Sequence, residues 1–263
     1  MTLHKLVIAE KPSVAQAIAK VIGATDKRNG FLEGGGYIVS WCIGHLVEPA
    51  AADQYSPQYS RWCREDLPIL PDPWQFTVSA AAGKQFNILK SLMERPDVDE
   101  LIAATDAGRE GELIFRLAYH QAGCRKPFSR LWISSMEDAA IRKGFESLLP
   151  GGKYDTLYEA ALCRAKADWL VGINGTRLFT TLYGGRTLNV GRVMTPTLAL
   201  LTEREQEISN FKKEKFYVVE IDCGAFRASS GRFQSKTDAE KLRKSCLGKP
   251  AVVQSVTVVR HFI

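Results

Sequence analysis

The 263-residue sequence is 45% apolar and 24% charged, enough for one large or two smaller cores. Its apolar runs are too short to span a bilayer, and its first residues lack a signal-peptide pattern. The net charge of +6 is uneven: residues 1–150 carry 17 Lys and Arg against 18 Asp and Glu, residues 151–263 carry 18 against 11. An acidic half beside a basic half suits a polyanion held on one and processed on the other, although modest basicity also serves solubility. The six cysteines, Cys42, Cys63, Cys124, Cys163, Cys223 and Cys246, form no C-x-x-C pair. That argues against zinc and for reduced thiols in a cytoplasmic protein.

In chain order, Lys5–Ala9 reads as a short apolar strand ending at Glu10-Lys11-Pro12-Ser13. Pro12 and Ser13 are helix-start residues, and a helix is expected through Ile22. Gly34-Gly35-Gly36 reads as a turn before a strand over Tyr37–Trp41. The glycine run has no following Lys-Ser/Thr and is not a P-loop. His45 follows that strand; a lone histidine is more often structural than functional. Residues 49–75, rich in proline and aromatics, predict a long ordered excursion, and Gly83–Met93 a helix.

Leu101–Ala104 then ends abruptly in Thr105-Asp106-Ala107-Gly108-Arg109-Glu110-Gly111-Glu112, followed by a helical pattern at Leu113, Ile114, Leu117 and Ala118. This is a buried strand, a tight turn and a helix. Helix capping accounts for any one of these acids. Three acids beside an arginine, with two glycines for the turn, make a site the better reading for the group. If both strands lie in one parallel sheet, Glu10 faces Asp106 and Glu110 at the carboxyl ends, where α/β sheets bind ligands. Clustered carboxylates need a cation or a shared proton. Hard oxygen donors favour Mg2+, which takes one or two carboxylates and completes its shell with water and phosphate.

Gly151-Gly152 is a plausible boundary. From Tyr154 to Tyr183, Leu157, Ala161, Ala165, Trp169 and Ile173 recur every four residues and predict a long helix. Arg164 and Asp168 can pair at i, i+4 on another face. Asn189-Val190-Gly191-Arg192 reads as a loop leading into a helix through Glu207, a good phosphate seat. Glu203, Glu205 and Glu207 read as a solvated face. Phe216–Ile221 and Ala251–Val256 are β-rich, with a short basic helix over Thr237–Leu247 between them.

Glu10 after a first strand and Asp-x-x-x-Glu after a later one resemble the Toprim domain of topoisomerases, primases and some nucleases. More of the chain is similar to the type IA DNA topoisomerases, especially the topoisomerase III branch. The resemblance runs in order through Glu10–Ser13, Trp41–Leu46, Leu67–Pro71, Asp106–Ile114, Leu131–Ser135, Arg164–Asn174 and Gly191–Leu198, and spans most of residues 1–210. Three departures stand out. The family's Asp-x-Asp-x-Glu has Gly108 in its middle place, leaving Glu112 as the candidate to compensate. Met194 stands where the family often has Gln. None of the eight tyrosines has the Tyr-x-Arg-Thr context of the family nucleophile; Tyr183, before Gly184-Gly185-Arg186-Thr187, has one residue too many.

The resemblance implies an α/β fold: a Toprim-type, mostly parallel sheet with flanking helices (residues 1–150), a helical DNA-binding domain (151–212) and an incomplete β-rich arch domain (213–263). It implies the N-terminal portion of an ATP-independent isomerase that relaxes or decatenates DNA by transient single-strand cleavage and strand passage, inactive without a tyrosine outside this chain. Glu10, Lys11 and Arg109 would be catalytic. Glu10, Asp106, Glu110 and Glu112 would hold Mg2+. Arg164, Arg177 and Arg192 would contact DNA, mainly single-stranded. No membrane partner and no nucleotide cofactor are implied, and the chain would be a cytoplasmic monomer. The alternatives are a Toprim nuclease or primase-like enzyme, which needs no tyrosine, and a non-catalytic single-stranded DNA-binding protein, which Gly108 would suit.

Overall fold

The computed structural model describes residues 3–224, 226–250 and 252–257. The chain divides into two compact units, Met1–Ala199 and Leu200–Ile263.

The first unit is built on a seven-stranded sheet. Strand β1 (His4–Ala9) leads to helix α1 (Pro12–Ile22), and β2 (Asp26–Arg28), β3 (Phe31–Gly34) and β4 (Tyr37–Trp41) follow as an antiparallel meander. The excursion carries β5 (Val47–Pro49), the single turn α2 (Ala52–Tyr55) and β6 (Phe76–Val78), with β5 and β6 paired in a separate ribbon. Then come α3 (Gly83–Glu94), β7 (Val98–Ala104), α4 (Arg109–Gln121), β8 (Phe128–Arg130), α5 (Asp138–Glu146) and β9 (Leu149–Pro150). Sheet order is β2-β3-β4-β1-β7-β8-β9; the central four strands run parallel and the outer ones antiparallel. The expected α/β class is observed.

Alternation of side chains along β1 explains the layers. Leu6 and Ile8 face one side with Leu101, Ala103 and the helices α3 and α4. Val7 and Ala9 face the other with Ile102, Ala104 and the helices α1 and α5. A strand buried on both faces reads as an unbroken apolar run, as Leu6–Ala9 does. Pro12 occupies the first turn of α1, where its missing N–H costs nothing, and Gly23 closes the helix at φ 81°, donating its N–H to Ala19.

The chain passes Gly151-Gly152 inside this unit. Helix α6 (Asp155–Tyr183) packs on α4 through Ala161, and Tyr158, Leu162 and Ala165 join the same core. Its other side is tied to the excursion by polar side chains. Trp169 Nε1 donates to Ala50 O at 3.0 Å; Asn174 accepts from Ile69 N at 2.6 Å and donates to Ile69 O at 3.0 Å. These bonds satisfy loop backbone that a bare apolar helix would leave unpaired.

The division between units falls within α7 (Met194–Ser209), whose residues are exposed, Glu203, Glu205 and Glu207 among them. In the second unit β10 (Glu220–Asp222) and β11 (Arg227–Ser229) form a two-stranded ribbon followed by α8 (Lys236–Cys246). Two expectations are corrected here. Strand structure begins at Glu220, with Tyr217 making a lone bridge to Phe233 rather than a ladder from Phe216. Residues 252–257 form no strand and Ala251 lies outside the described residues. A β-rich sequence needs a partner strand to complete its backbone hydrogen bonds, and among the described residues, 252–257 pair with neither β10 nor β11.

Candidate active site

Register places the site. Ala9 pairs with Ala104 and with Trp41, so β4, β1 and β7 end level. Glu10 and Asp106 therefore leave adjacent strands side by side. Asp106 N–H donates to Glu10 Oε2 at 3.2 Å. Lys11 Nζ lies 3.7 Å from Glu10 Oε1 and 4.0 Å from Asp106 Oδ2, a cation set between two acids. Glu10 is mostly covered and Asp106 is 55% exposed. A cavity of about 270 Å³ opens beside Asp106, lined also by Thr105, Ile133, Ser134 and Met136. Behind Glu10, the buried Cys42 thiol is pushed up to about 12 by burial first and by the Glu10 charge second, so it stays protonated.

The turn from β7 into α4 depends on Gly111. A Cβ there would sit 2.1 Å from Asp106 O, so only glycine lets the helix pass this close. Thr105 Oγ1 donates to Gly111 O at 2.7 Å and locks the same turn. Gly108, in the family's acid position, has extended backbone (φ 177°), and a Cβ there meets nothing.

Glu110 and Glu112, two residues apart on α4, diverge. Glu110 is exposed: its Oε1 lies 3.2 Å from Arg164 Nη1 of α6 and its Oε2 3.9 Å from His45 Nε2. Glu112 is fully buried and corrects the expectation of a fourth ligand. Its Oε1 accepts from Arg116 Nε and its Oε2 from Arg130 Nε, both at 2.9 Å. Arg130, also fully buried, donates onward to Ala103 O and Thr105 O at 2.8 Å and to Asp106 O at 2.7 Å. Burial pulls its pKa below the usual arginine value, opposed by the Glu112 charge. Arg116 continues to Gly151 O at 2.9 Å and to Asp155 at 2.6 Å. The buried acid thus holds the Asp106 turn from behind. The i, i+4 spacing of Glu112 and Arg116 was the signal that could have shown it; the role of Arg130 had no local signal.

Arg109 is exposed and makes no ion pair with these acids among the described residues. Arg192 Nε and Nη2 donate to Asp168 at 2.8 and 3.1 Å, and Asp168 Oδ2 lies 3.9 Å from Arg164 Nε. The loop before Arg192 is pinned to α6 by Thr176 and Thr180, whose hydroxyls accept from Val190 N and Leu188 N at 2.9 Å. Arg177 does not project to solvent: it is 6% exposed, 5.2 Å from the Trp62 ring, and burial draws its pKa down against the pull of Asp53 and Asp66. It lines a cavity of about 550 Å³ with Trp62, Trp169, Asn189, Asp168 and Met194. Sequence reasoning missed this cavity, because Trp62 and Trp169 come together only through the excursion. Tyr183 is exposed at the end of α6.

Among the described residues no three His, Cys, Asp or Glu side chains gather to hold a metal ion. The donor chemistry nevertheless suits Mg2+. Glu10 and Asp106 offer two hard carboxylates at a solvent-open strand end, the number such an ion takes when phosphate and water complete its shell.

Residues 5–136 match the Toprim domain family, the class that the level strand ends and their acids define. Residues 152–261 match the DNA topoisomerase family. DNA topoisomerase 3 of Bacillus anthracis is 51% identical over 82% of this chain and 29% of its own length; that of Shouchella clausii is 46% identical over 92% and 35%. The full-length topoisomerase I of Thermotoga maritima superposes with a TM-score of 0.62 at 21% identity, over 91% of this chain and 37% of that one. The chain belongs to the type IA DNA topoisomerase family, and spans about a third of the length of the curated relatives it matches.

Proposed function

We propose that this chain is the N-terminal part of a type IA DNA topoisomerase, a Toprim domain with a helical strand-binding platform, whose nucleophilic tyrosine comes from sequence outside residues 1–263. The observation that carries this reading is the juxtaposition of Glu10, Lys11 and Asp106 at the ends of β1 and β7. Lys11, beside both acids, would stabilise charge developing on a scissile phosphate. Glu10, largely shielded from water, would give a proton to the leaving oxygen in its neutral form and serve as a metal ligand only in its ionised form. Glu10 and Asp106 would hold Mg2+, which supplies positive charge against the phosphate. Arg164 and Arg192 would track a single strand along α6, Arg177 acting only from within its cavity. The whole enzyme would relax or decatenate DNA without ATP, as a cytoplasmic monomer.

The test uses labelled single-stranded oligonucleotide and supercoiled plasmid with Mg2+. The chain is expected to bind the oligonucleotide with a log–log salt slope of about −0.7 per phosphate contact, and to leave the plasmid supercoiled. Metal-dependent nicking abolished by Asp106→Ala would favour a Toprim nuclease instead. Salt-insensitive binding would remove the role of the arginines.

A further inference from the structure

An unbroken alternation of charge runs from Glu110 on the acid turn to the Gly191 loop. His45 stands against Glu110, Glu110 against Arg164, Arg164 against Asp168, and Asp168 against Arg192. Every member is partly exposed to solvent. Exposed pairs of this kind add little to stability and exchange readily. A permanent tie in this protein looks different: Glu112 is sealed between two arginines, all three buried from solvent. The second observation is what the chain of pairs does to the acids. Glu110 is taken up by Arg164 of α6, with His45 Nε2 on its other oxygen at 3.9 Å, and no three-acid metal group forms among the described residues.

We infer that Arg164, Asp168 and Arg192 form an exchangeable relay that couples nucleic-acid phosphate on α6 to release of Glu110 toward the cation site. The inference rests on the reading of Glu10 and Asp106 as that site. A phosphate that takes Arg192 leaves Asp168 with only its longer contact to Arg164. Asp168 then draws Arg164 from Glu110, and a second phosphate can hold Arg164 outright. Glu110, now without its arginine, adds a third carboxylate beside Glu10 and Asp106. Without nucleic acid the acid turn is neutralised by the protein itself. With it, the same arginines neutralise phosphate and the acids become free for the cation. By linkage, Mg2+ must favour phosphate binding by the same factor as phosphate favours Mg2+.

The test is calorimetric titration of the 263-residue chain with Mg2+, without DNA, alongside anisotropy with labelled oligothymidylate at constant ionic strength. Arg164→Gln should tighten Mg2+ about fivefold, the low end for coupled sites, while weakening the oligonucleotide. Asp168→Asn removes the competitor for Arg164 and should shift both affinities the opposite way. Arg125→Gln removes an equal charge from an exposed position beyond the far end of α4, outside the relay and the acid turn, and should change Mg2+ affinity much less than Arg164→Gln. Mg2+ affinity unchanged by Arg164→Gln, or raised as much by Arg125→Gln, would overturn the relay while leaving the cation site intact. If Asp106→Ala leaves the Mg2+ isotherm unchanged, the cation site itself is wrong and the relay falls with it.

Discussion

Glu110 and Glu112 begin on the same turn of α4 and end in opposite environments. At about 100° per residue, two steps carry the side chain about 200°, to the opposite face of the helix. Glu110 meets solvent, Arg164 and His45; Glu112 meets Arg116 and Arg130 with no exposure at all. The first set of contacts is exchangeable and the second is structural. A carboxylate in an acidic motif can thus serve the site by touching its ligand or by holding the backbone of the acid that does.

The comparison is broken most directly by removing each acid in turn. Glu112→Ala strands two buried arginines and should cost about 3–5 kcal/mol in denaturant unfolding. Glu110→Gln should cost under about 1 kcal/mol and appear instead as weaker Mg2+ binding. Equal stability losses would erase the distinction.

Gly111→Ala drives a methyl group into Asp106 O, and the strain should cost about 1–3 kcal/mol. Because it displaces the Asp106 turn, Mg2+ affinity should fall as well, which calorimetry on the folded variant can separate from stability. Gly108→Asp is the sharpening counterpart. Its backbone is extended and its Cβ meets open space, so the added acid should tighten Mg2+ roughly tenfold, the scale of one more ligand charge. Unfolding should shift by no more than about 0.5 kcal/mol.

The smallest effect is expected at the opposite end of the sheet. The Arg95 guanidinium holds Asp97 down to about 2, well below its unfolded value of about 4. A depressed carboxylate stabilises the fold above its unfolded pKa and loses that contribution as pH falls from about 4 toward 2. Asp97→Asn should flatten this acid limb in a pH series of unfolding curves while leaving Mg2+ and DNA binding unchanged.

Much of this was written locally. Leu6–Ala9 and Leu101–Ala104 are legible as buried strands because no polar residue interrupts them, and Glu10 and Asp106 as site acids because they follow such strands directly. The four-residue spacing of Leu157 to Ile173 is enough for α6, since one face of a helix repeats at that interval. Local pattern failed at residues 252–257, where β propensity finds no partner strand among the described residues.

Other features depend on contacts between residues far apart in sequence. That Ala9 lies level with Ala104 is set by sheet order, and the meeting of Glu10 with Asp106 follows from it. The partner of Glu110 lies 54 residues on, at Arg164, and is chosen by how α6 packs on α4. Which acid is buried follows from side-chain direction about the axis of α4, and which arginine seals it from the arrival of β8 beside β7. Sequence determined which residues could carry charge to the strand ends. Only tertiary packing decided which charges face each other, because ion pairing depends on distance and burial, and both are properties of the folded chain.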